Sequence, residues 1–229
     1  MTTAVSRAVT WDPFGTLGNA LWIGGGQWAG KSTVSNILAH RYGLTVYHYD
    51  YHQARAHWDR RCAAAARDGA VIEPPTAEEM FVATTPEVSA LQTVAALEET
   101  FPYVLDDLRA LVSGRPIVIE GFVARPDLVL PIARDPHRML LMMPTDAWRL
   151  HQSRTLERAM RPSGEVSDLV TAQRNRLERD RLVAASAVAQ ARHAGVRVLE
   201  IDGTVDAEGI ADVVADHFAR FLAGSRSRD

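Results

Sequence analysis

The stretch Gly24-Gly-Gly-Gln-Trp-Ala-Gly-Lys-Ser-Thr33, "GGGQWAGKST", decides how the rest of the chain is read. The apolar run Ala20-Leu-Trp-Ile23 precedes it, and Val34, Ile37, Leu38 and Tyr42 follow at helical spacing. A buried strand, a glycine turn and a helix closed by Gly43 are therefore expected in that order. Gly25, four residues, then Gly30-Lys31-Ser32 fit the pattern G-x-x-x-x-G-K-[ST]. Glycine lets the backbone curl so that successive N–H groups point inward at phosphate oxygens. The helix that follows adds its positive end. The expected nucleotide contacts are Gly25, Gly26, Gln27, Trp28, Ala29, Gly30, Lys31, Ser32 and Thr33. Lys31 is expected to bridge the terminal phosphates, Ser32 to ligate Mg²⁺ and Thr33 to reach the α-phosphate. ATP and Mg²⁺ are the cofactors this implies. Trp28 is bulky for a tight loop, and its position inside or outside the nucleotide site is left open.

Working outward, short apolar runs alternate with helical spacing. "LTVYHY" (Leu44 to Tyr49), "PIVIE" (Pro116 to Glu120), "RMLLMM" (Arg138 to Met143) and "VRVLEID" (Val196 to Asp202) read as four further strands. Five apolar strands between helices predict an α/β protein with a parallel sheet covered on both faces. "TAEE" at Thr76 to Glu79 fits a capping box, and Thr85-Pro86 a helix start, with a break expected near Pro102. A helix after the fourth strand is expected to halt at Pro162-Ser-Gly164, and a polar helix to run from Asp168 to Gly195. Residues 1–18 read as a flexible lead-in, 19–223 as one domain and 224–229 as a polar tail.

Composition narrows the classes. The chain has 229 residues and a formal net charge of −3, which gives no electrostatic case for nucleic acid or an anionic membrane. One cysteine, Cys62, excludes an intrachain disulfide and reads as a small buried thiol. No basic segment followed by a long apolar run opens the sequence, and no stretch is long enough to span a bilayer, so the cytoplasm is expected. Self-association as a homodimer is left open.

Three features bear on chemistry. Asp50, expected at the end of the second strand, would face the crevice above the strand ends and address an acceptor hydroxyl. The alternative is an Asp that caps the next helix. Glu120 ends an apolar strand and would hold Mg²⁺ through water, while Gly121 would let a substrate approach the backbone. Arg149, Arg154, Arg158 and Arg161 follow the fourth strand, and Arg154 and Arg158 share a helix face. They would close over transferring phosphate, or form a solvated face with Glu157. Arg174, Arg176, Arg179 and Arg181 sit among acids, and a solvated face is the favoured reading for them. His48, His52, His57, Tyr49 and Tyr51 cluster around Asp50, and some of them are expected to line an acceptor pocket. Asp106 and Asp107 point apart on a helix, which argues against a shared dyad; one of them could reach an acceptor hydroxyl or a cationic group, and a solvated face is the favoured reading. The switch motifs D-x-x-G and N-K-x-D are absent, with "EGFV" and "IDGT" in those places.

"GGGQWAGKST", "YHYDYH", "IVIEG", the arginine helix and "VLEIDGT" occur in the order seen in P-loop nucleoside, nucleotide and small-metabolite kinases. The chain resembles that superfamily over roughly Leu21 to Leu222. "IVIEG" is similar to the third-strand motif of uridine kinases, and the acid after the second strand resembles shikimate, gluconate and chloramphenicol kinases. The resemblance implies a three-layer αβα fold with strand order 2-3-1-4-5. It also implies an acceptor cover over about 51–113, a mobile lid over about 149–164, and Gly203 and Thr204 beside the adenine. Lys31, Asp50, Arg154 and Arg158 would be catalytic, and Asp50, His52, Arg55 and Gly121 would meet the acceptor. The D-D-x-Y signature of uridine kinases is missing, with "DYHQ" in its place. Arg55, Arg60 and Arg61 are the only candidates for an acceptor phosphate. The expected activity is ATP- and Mg²⁺-dependent phosphoryl transfer to a hydroxyl of a small metabolite. A nucleoside or nucleotide kinase is one alternative, and a nucleotide-binding regulatory protein with slow or no hydrolysis is another.

Overall fold

The computed structural model describes residues 11–157 and 164–223. Five strands form one parallel sheet: β1 (Leu21–Gly25), β2 (Thr45–His48), β3 (Ile117–Glu120), β4 (Met139–Pro144) and β5 (Arg197–Ile201). Their spatial order is β2-β3-β1-β4-β5. The alternating pattern predicts the covered parallel sheet, and the three-layer αβα arrangement with this strand order is the one the resemblance implies. The strands are apolar throughout because both sheet faces are covered. On β1 the two-residue period sends Leu21 and Ile23 to one face and Trp22 to the other.

The Leu21 face carries α2 (Lys31–Tyr42) and α10 (Ala207–Leu222), with Val34, Leu38, Val214 and Phe218 packed on Val118 and Leu140. The Trp22 face carries α6 (Pro86–Ala110), α7 (Pro126–Ala133) and α9 (Leu169–His193), whose Val104, Leu108, Val129 and Ala187 meet Ile119 and Leu141. Gly43 ends α2 in the left-handed conformation, as its position predicts. Thr76 and Glu79 form the expected capping box at α5 (Ala77–Phe81), and Thr85 caps α6. Buried Asn175 on α9 donates to the Phe81 carbonyl at 2.9 Å, tying α5 to α9. Among the described residues no helix is long and apolar enough to cross a membrane.

Four expectations are corrected. No break occurs at Pro102: α6 runs through it, with Pro102 itself exposed. A helix-interior proline costs about 3 kcal/mol, and burial of Leu97, Phe101, Val104 and Leu108 along one face outweighs that. The second strand stops at His48, and Tyr49 begins a helix. That helical stretch has three parts: α3 (Tyr49–His52), a π turn (Gln53–His57) and α4 (Trp58–Arg67). Cys62 is half-buried rather than buried. Within the expected lead-in, α1 (Thr16–Asn19) is packed, and Leu17 is wholly buried in the core beneath α6 and α7. Asp12 carboxylate oxygens accept from the Leu17 and Gly18 N–H groups and hold that turn. The rest of the lead-in, 1–10, the tail 224–229 and the expected halt at Pro162-Ser-Gly164, save Gly164 itself, lie outside the described residues.

Leu17→Ala tests whether this segment belongs to the core. Removing a fully buried leucine side chain should cost about 2–5 kcal/mol in chemical denaturation. A loss below about 0.5 kcal/mol, the scale of a surface change, would show that the segment adds nothing to the fold.

Candidate functional site

The carboxyl ends of β1, β3 and β2 carry the polar groups. β1 ends in glycine for a packing reason: a Cβ on Gly24 would lie 1.9 Å from the Ala124 carbonyl oxygen. The chain leaves the sheet at Gly26, whose N–H donates to the Met142 carbonyl at 3.0 Å. It then curls through Gln27, Trp28 and Ala29 into α2. Gly30 caps that helix at φ 81°, a left-handed value. A cavity of about 230 Å³ opens above the loop, lined by Gln27, Trp28, Gly30, Lys31, Ser32 and Thr33 together with Asp50 and Glu120.

Lys31 is buried, and its ammonium donates to the Gly26 carbonyl at 2.7 Å across the loop. Burial holds its pKa below the usual lysine range, against the pull of Glu120, Asp50 and Asp180. The Ser32 hydroxyl donates to Glu120 Oε1 at 3.1 Å, and His48 Nδ1 lies 2.8 Å from the same oxygen. Ser32 and Glu120, which the sequence suggested for the cation, thus meet from α2 and β3. A hydroxyl, a buried carboxylate and nearby acids form an oxygen-rich donor set of the kind Mg²⁺ takes. His48 was expected only as one of several pocket groups. Its placement beside Glu120 follows from the β2–β3 register, which pairs these two residues.

Trp28 adopts φ 66°, an outlier for so bulky a residue. The Arg176 guanidinium lies 5.4 Å from its ring centroid, within cation–π range. Arg176 belongs to α9, as do Arg179 and the buried Asp180, which pair at 2.6 Å. Burial raises the Asp180 carboxyl above its usual range, with Arg179, Arg176 and Lys31 opposing. The expectation of a solvated face for Arg176 and Arg179 is therefore overturned, because their helix packs against the glycine loop. Arg181, by contrast, pairs with Glu178 near the surface. The arginines expected after β4 are elsewhere. On α8 (Asp146–Thr155), Arg154 is exposed and lines no part of the loop cavity. Arg149 holds the Leu177 carbonyl and Asp146. Arg158 and Arg161 lie outside the described residues, as does most of the lid segment beyond Glu157.

Asp50 sits in the first turn of α3 rather than at a strand end. The N-cap of α3 is His48, and Asp50 lies two residues inside it, so the helix-cap alternative falls. It lines both the loop cavity and a second cavity of about 490 Å³. That second cavity lies between α3, the π turn, α4, α5 and α6, with Pro74 and Pro75 at its rim. Water reaches Asp50 from the cleft, yet protein atoms crowd its carboxyl. Desolvation pushes its pKa above the usual range. Lys31 opposes that rise, and the Glu120 and Asp180 charges add to it.

Three other acceptor residues do not gather there. Arg55 is exposed and lines neither cavity. Gly121 has φ 137°, and a Cβ there would lie 2.9 Å from Tyr49 Cβ, so the missing side chain makes room for Tyr49 and not for a substrate. His52 stacks on Tyr47 with ring centroids 4.0 Å apart, outside both cavities. It joins a separate network. Tyr47 donates to Asp107 Oδ2 at 2.7 Å, His57 Nε2 lies 2.9 Å from that oxygen, and Arg60 donates to Oδ1 at 2.5 Å. Ligand atoms of His52, His57 and Asp107 lie within 4.8 Å of one another, a spacing a metal ion tolerates. The oxygens of Asp107 already accept from Tyr47 and Arg60, so the group reads as a hydrogen-bonded brace between β2 and α6. Asp107 is thus drawn inward while its neighbour Asp106 pairs with Arg109 at the surface, which corrects the solvated reading for Asp107 alone. Gly203 and Thr204 do not line the loop cavity. Trp148 covers Gly203, and Asp202 accepts from the Thr204 N–H and hydroxyl.

No family model and no curated sequence matches the chain. Among solved structures, a gluconokinase from Sinorhizobium meliloti 1021 is similar at 13% identity and a TM-score of 0.46, over 90% of this chain and 94% of that one.

The raised pKa of Asp50 has a consequence for stability. A carboxyl whose folded pKa lies above its unfolded value favours folding while protonated, and that contribution is lost as pH rises through the folded pKa. At neutral pH the ionised Asp50 therefore works against the fold. Asp50→Asn should raise Tm at about pH 7.5, and the gain should shrink as pH falls toward about 4, the unfolded carboxyl pKa. A lower Tm for the variant at both pH values would show that the carboxylate is not under strain.

Proposed function

We propose that the chain is an ATP- and Mg²⁺-dependent phosphotransferase acting on a hydroxyl of a small molecule. The observation that carries this reading is Asp50 on the wall between two cavities. One cavity is built by a G-x-x-x-x-G-K-[ST] loop, and the other is large enough for a small molecule. A binding module has no need of a carboxylate at such a junction.

Each residue has a role in this reading. The N–H groups of the loop from Gln27 to Thr33 and the Lys31 ammonium bind and orient the phosphates of ATP. Ser32 and Glu120 hold Mg²⁺, which neutralises phosphate charge when bound. His48, beside Glu120, orients that carboxylate. Arg176 over Trp28 and Arg179 beside Asp180, rather than exposed Arg154, are the arginines this reading assigns to charge on the transferring phosphate. Asp50 accepts the proton of the acceptor hydroxyl, and its raised pKa moves it toward the range in which a carboxylate is a competent base. Transfer is then chiefly a matter of position and charge.

Two substitutions test the reading. Lys31→Ala removes a charge-assisted phosphate contact and should weaken Mg-ATP binding at least ~10-fold. Asp50→Asn keeps size and reach but cannot take a proton. It should bind ATP normally while transfer falls by roughly 10²-fold, in maximal rate more than in KM for ATP. Equal maximal rates for wild type and Asp50→Asn at saturating ATP would remove Asp50 from the mechanism. ATP turnover that no alcohol accelerates, with no phosphorylated product, would favour a nucleotide-binding regulator instead.

A further inference from the structure

We infer that the acceptor is an uncharged alcohol carried on a largely apolar, ring-sized body, and neither a polyol acid nor an already phosphorylated molecule. This rests on the phosphotransfer reading above and names its acceptor class. The cavity beyond Asp50, about 490 Å³, falls in the range that encloses a small organic ligand. Its walls are mainly apolar and aromatic, with Trp58, Met80, Leu97 and Phe122 among them. A polyol presents a hydroxyl on nearly every carbon, and most would lose water against this largely apolar wall with too few partners.

Apart from Asp50 and Arg61, the polar groups on the wall are neutral and several are engaged. Gln53 Oε1 accepts from the Tyr49 hydroxyl at 2.9 Å, and the Thr93 hydroxyl donates to the Ser89 carbonyl at 2.8 Å. They suit one or two hydrogen bonds to a ring substituent rather than a row of hydroxyls.

Charge decides against an anionic acceptor. Arg61 is the one cation among the residues described as lining this cavity. Its Nε and Nη2 donate to the two oxygens of Glu99 at 2.8 and 2.9 Å, and its guanidinium lies 5.1 Å from the Trp58 ring centroid. The charge is therefore already answered. The neighbouring Arg60 is held by Asp107 and the Tyr103 carbonyl. Arg179 reaches Thr93 at 3.5 Å but is paired with Asp180. A carboxylate or phosphate in this cavity would lose its hydration, find no unpaired cation among the described residues that line it, and face Asp50. The aromatic side chains of Trp58 and Phe122 on the wall instead suit a ring. Glu99 is thus a specificity-determining residue that acts through Arg61.

The test is titration of the full chain, with Mg-ADP bound, against thymidine, adenosine, 2-phenylethanol, thymidine 5′-monophosphate and D-gluconate. Binding is read by ligand-observed NMR and calorimetry. At least one neutral ring alcohol should bind about tenfold or more tightly than the monophosphate and gluconate. Ala96→Asp, which puts a charge on the cavity wall, should weaken that alcohol at least ~10-fold and leave Mg-ADP affinity unchanged. Glu99→Gln frees Arg61 at an exposed position where the fold is not at risk. It should tighten monophosphate binding about 3- to 10-fold relative to wild type. Tightest binding by gluconate or the monophosphate, no binding by any neutral ring alcohol, or no response to Glu99→Gln would each overturn the inference. Failure of the wild type to bind Mg-ADP would instead sink the phosphotransfer reading.

Discussion

Three charges are buried at one end of the sheet: Lys31, Glu120 and Asp180. They come from α2, β3 and α9, and each would be costly alone in a low-dielectric setting. They persist because each is answered locally: Lys31 by the Gly26 carbonyl, Glu120 by Ser32 and His48, and Asp180 by Arg179. Lys31 also feels all the nearby carboxylates, which resist the loss of its proton. The loop, the third strand, the end of the second strand and the long ninth helix must therefore arrive at one place together. The strand order allows this, because β3 and β4 flank β1 and bring their carboxyl ends beside the loop.

From that constraint the two cavities follow. The carboxyl ends of a parallel sheet form a crevice where loops diverge. On one side lies the glycine loop with backbone N–H groups and few side chains. On the other, helices α4 to α6 and the Pro74-Pro75 elbow enclose an apolar space. Trp28 is held in a left-handed conformation at the loop, under Arg176 from α9. Such strain is kept only where the surroundings impose it. Packing of α9 against the loop is what imposes it here, so the ninth helix is part of the loop's geometry and not merely a layer over the sheet.

The strands, the loop and the helix caps were legible because each is written in adjacent residues. Apolar runs, Gly43, "TAEE" and Thr85-Pro86 need no distant partner to be read. The role of α9 was not legible. Arg176 and Arg179 look like members of a salt-bridged surface when Glu178 and Arg181 are their neighbours in sequence. Nothing within that helix says that its inner face meets Trp28, some 150 positions earlier. Asp50 was placed correctly in the crevice but on the wrong element, since "VYHY" is β-rich up to a boundary that local propensity does not mark. The inward turn of Asp107 depends on Tyr47 and His57, again a contact between distant segments. Pro102 shows the opposite failure: a strong local breaker overruled by a buried stripe along α6.

The π turn at Gln53–His57 sets the phase of everything after it. Such a turn holds one residue more than an α-helical turn would. Taking one residue out would rotate α4 by about 100° relative to α3 and draw it in by about 1.5 Å. Trp58 and Arg61 would then swing off the cavity, while Asp50, upstream of the change, would stay at the glycine loop. In this architecture the length of a single helix segment, independent of which side chains it bears, becomes the variable that couples or uncouples the two halves of the crevice. A one-residue change there would reshape the larger cavity without touching the glycine loop.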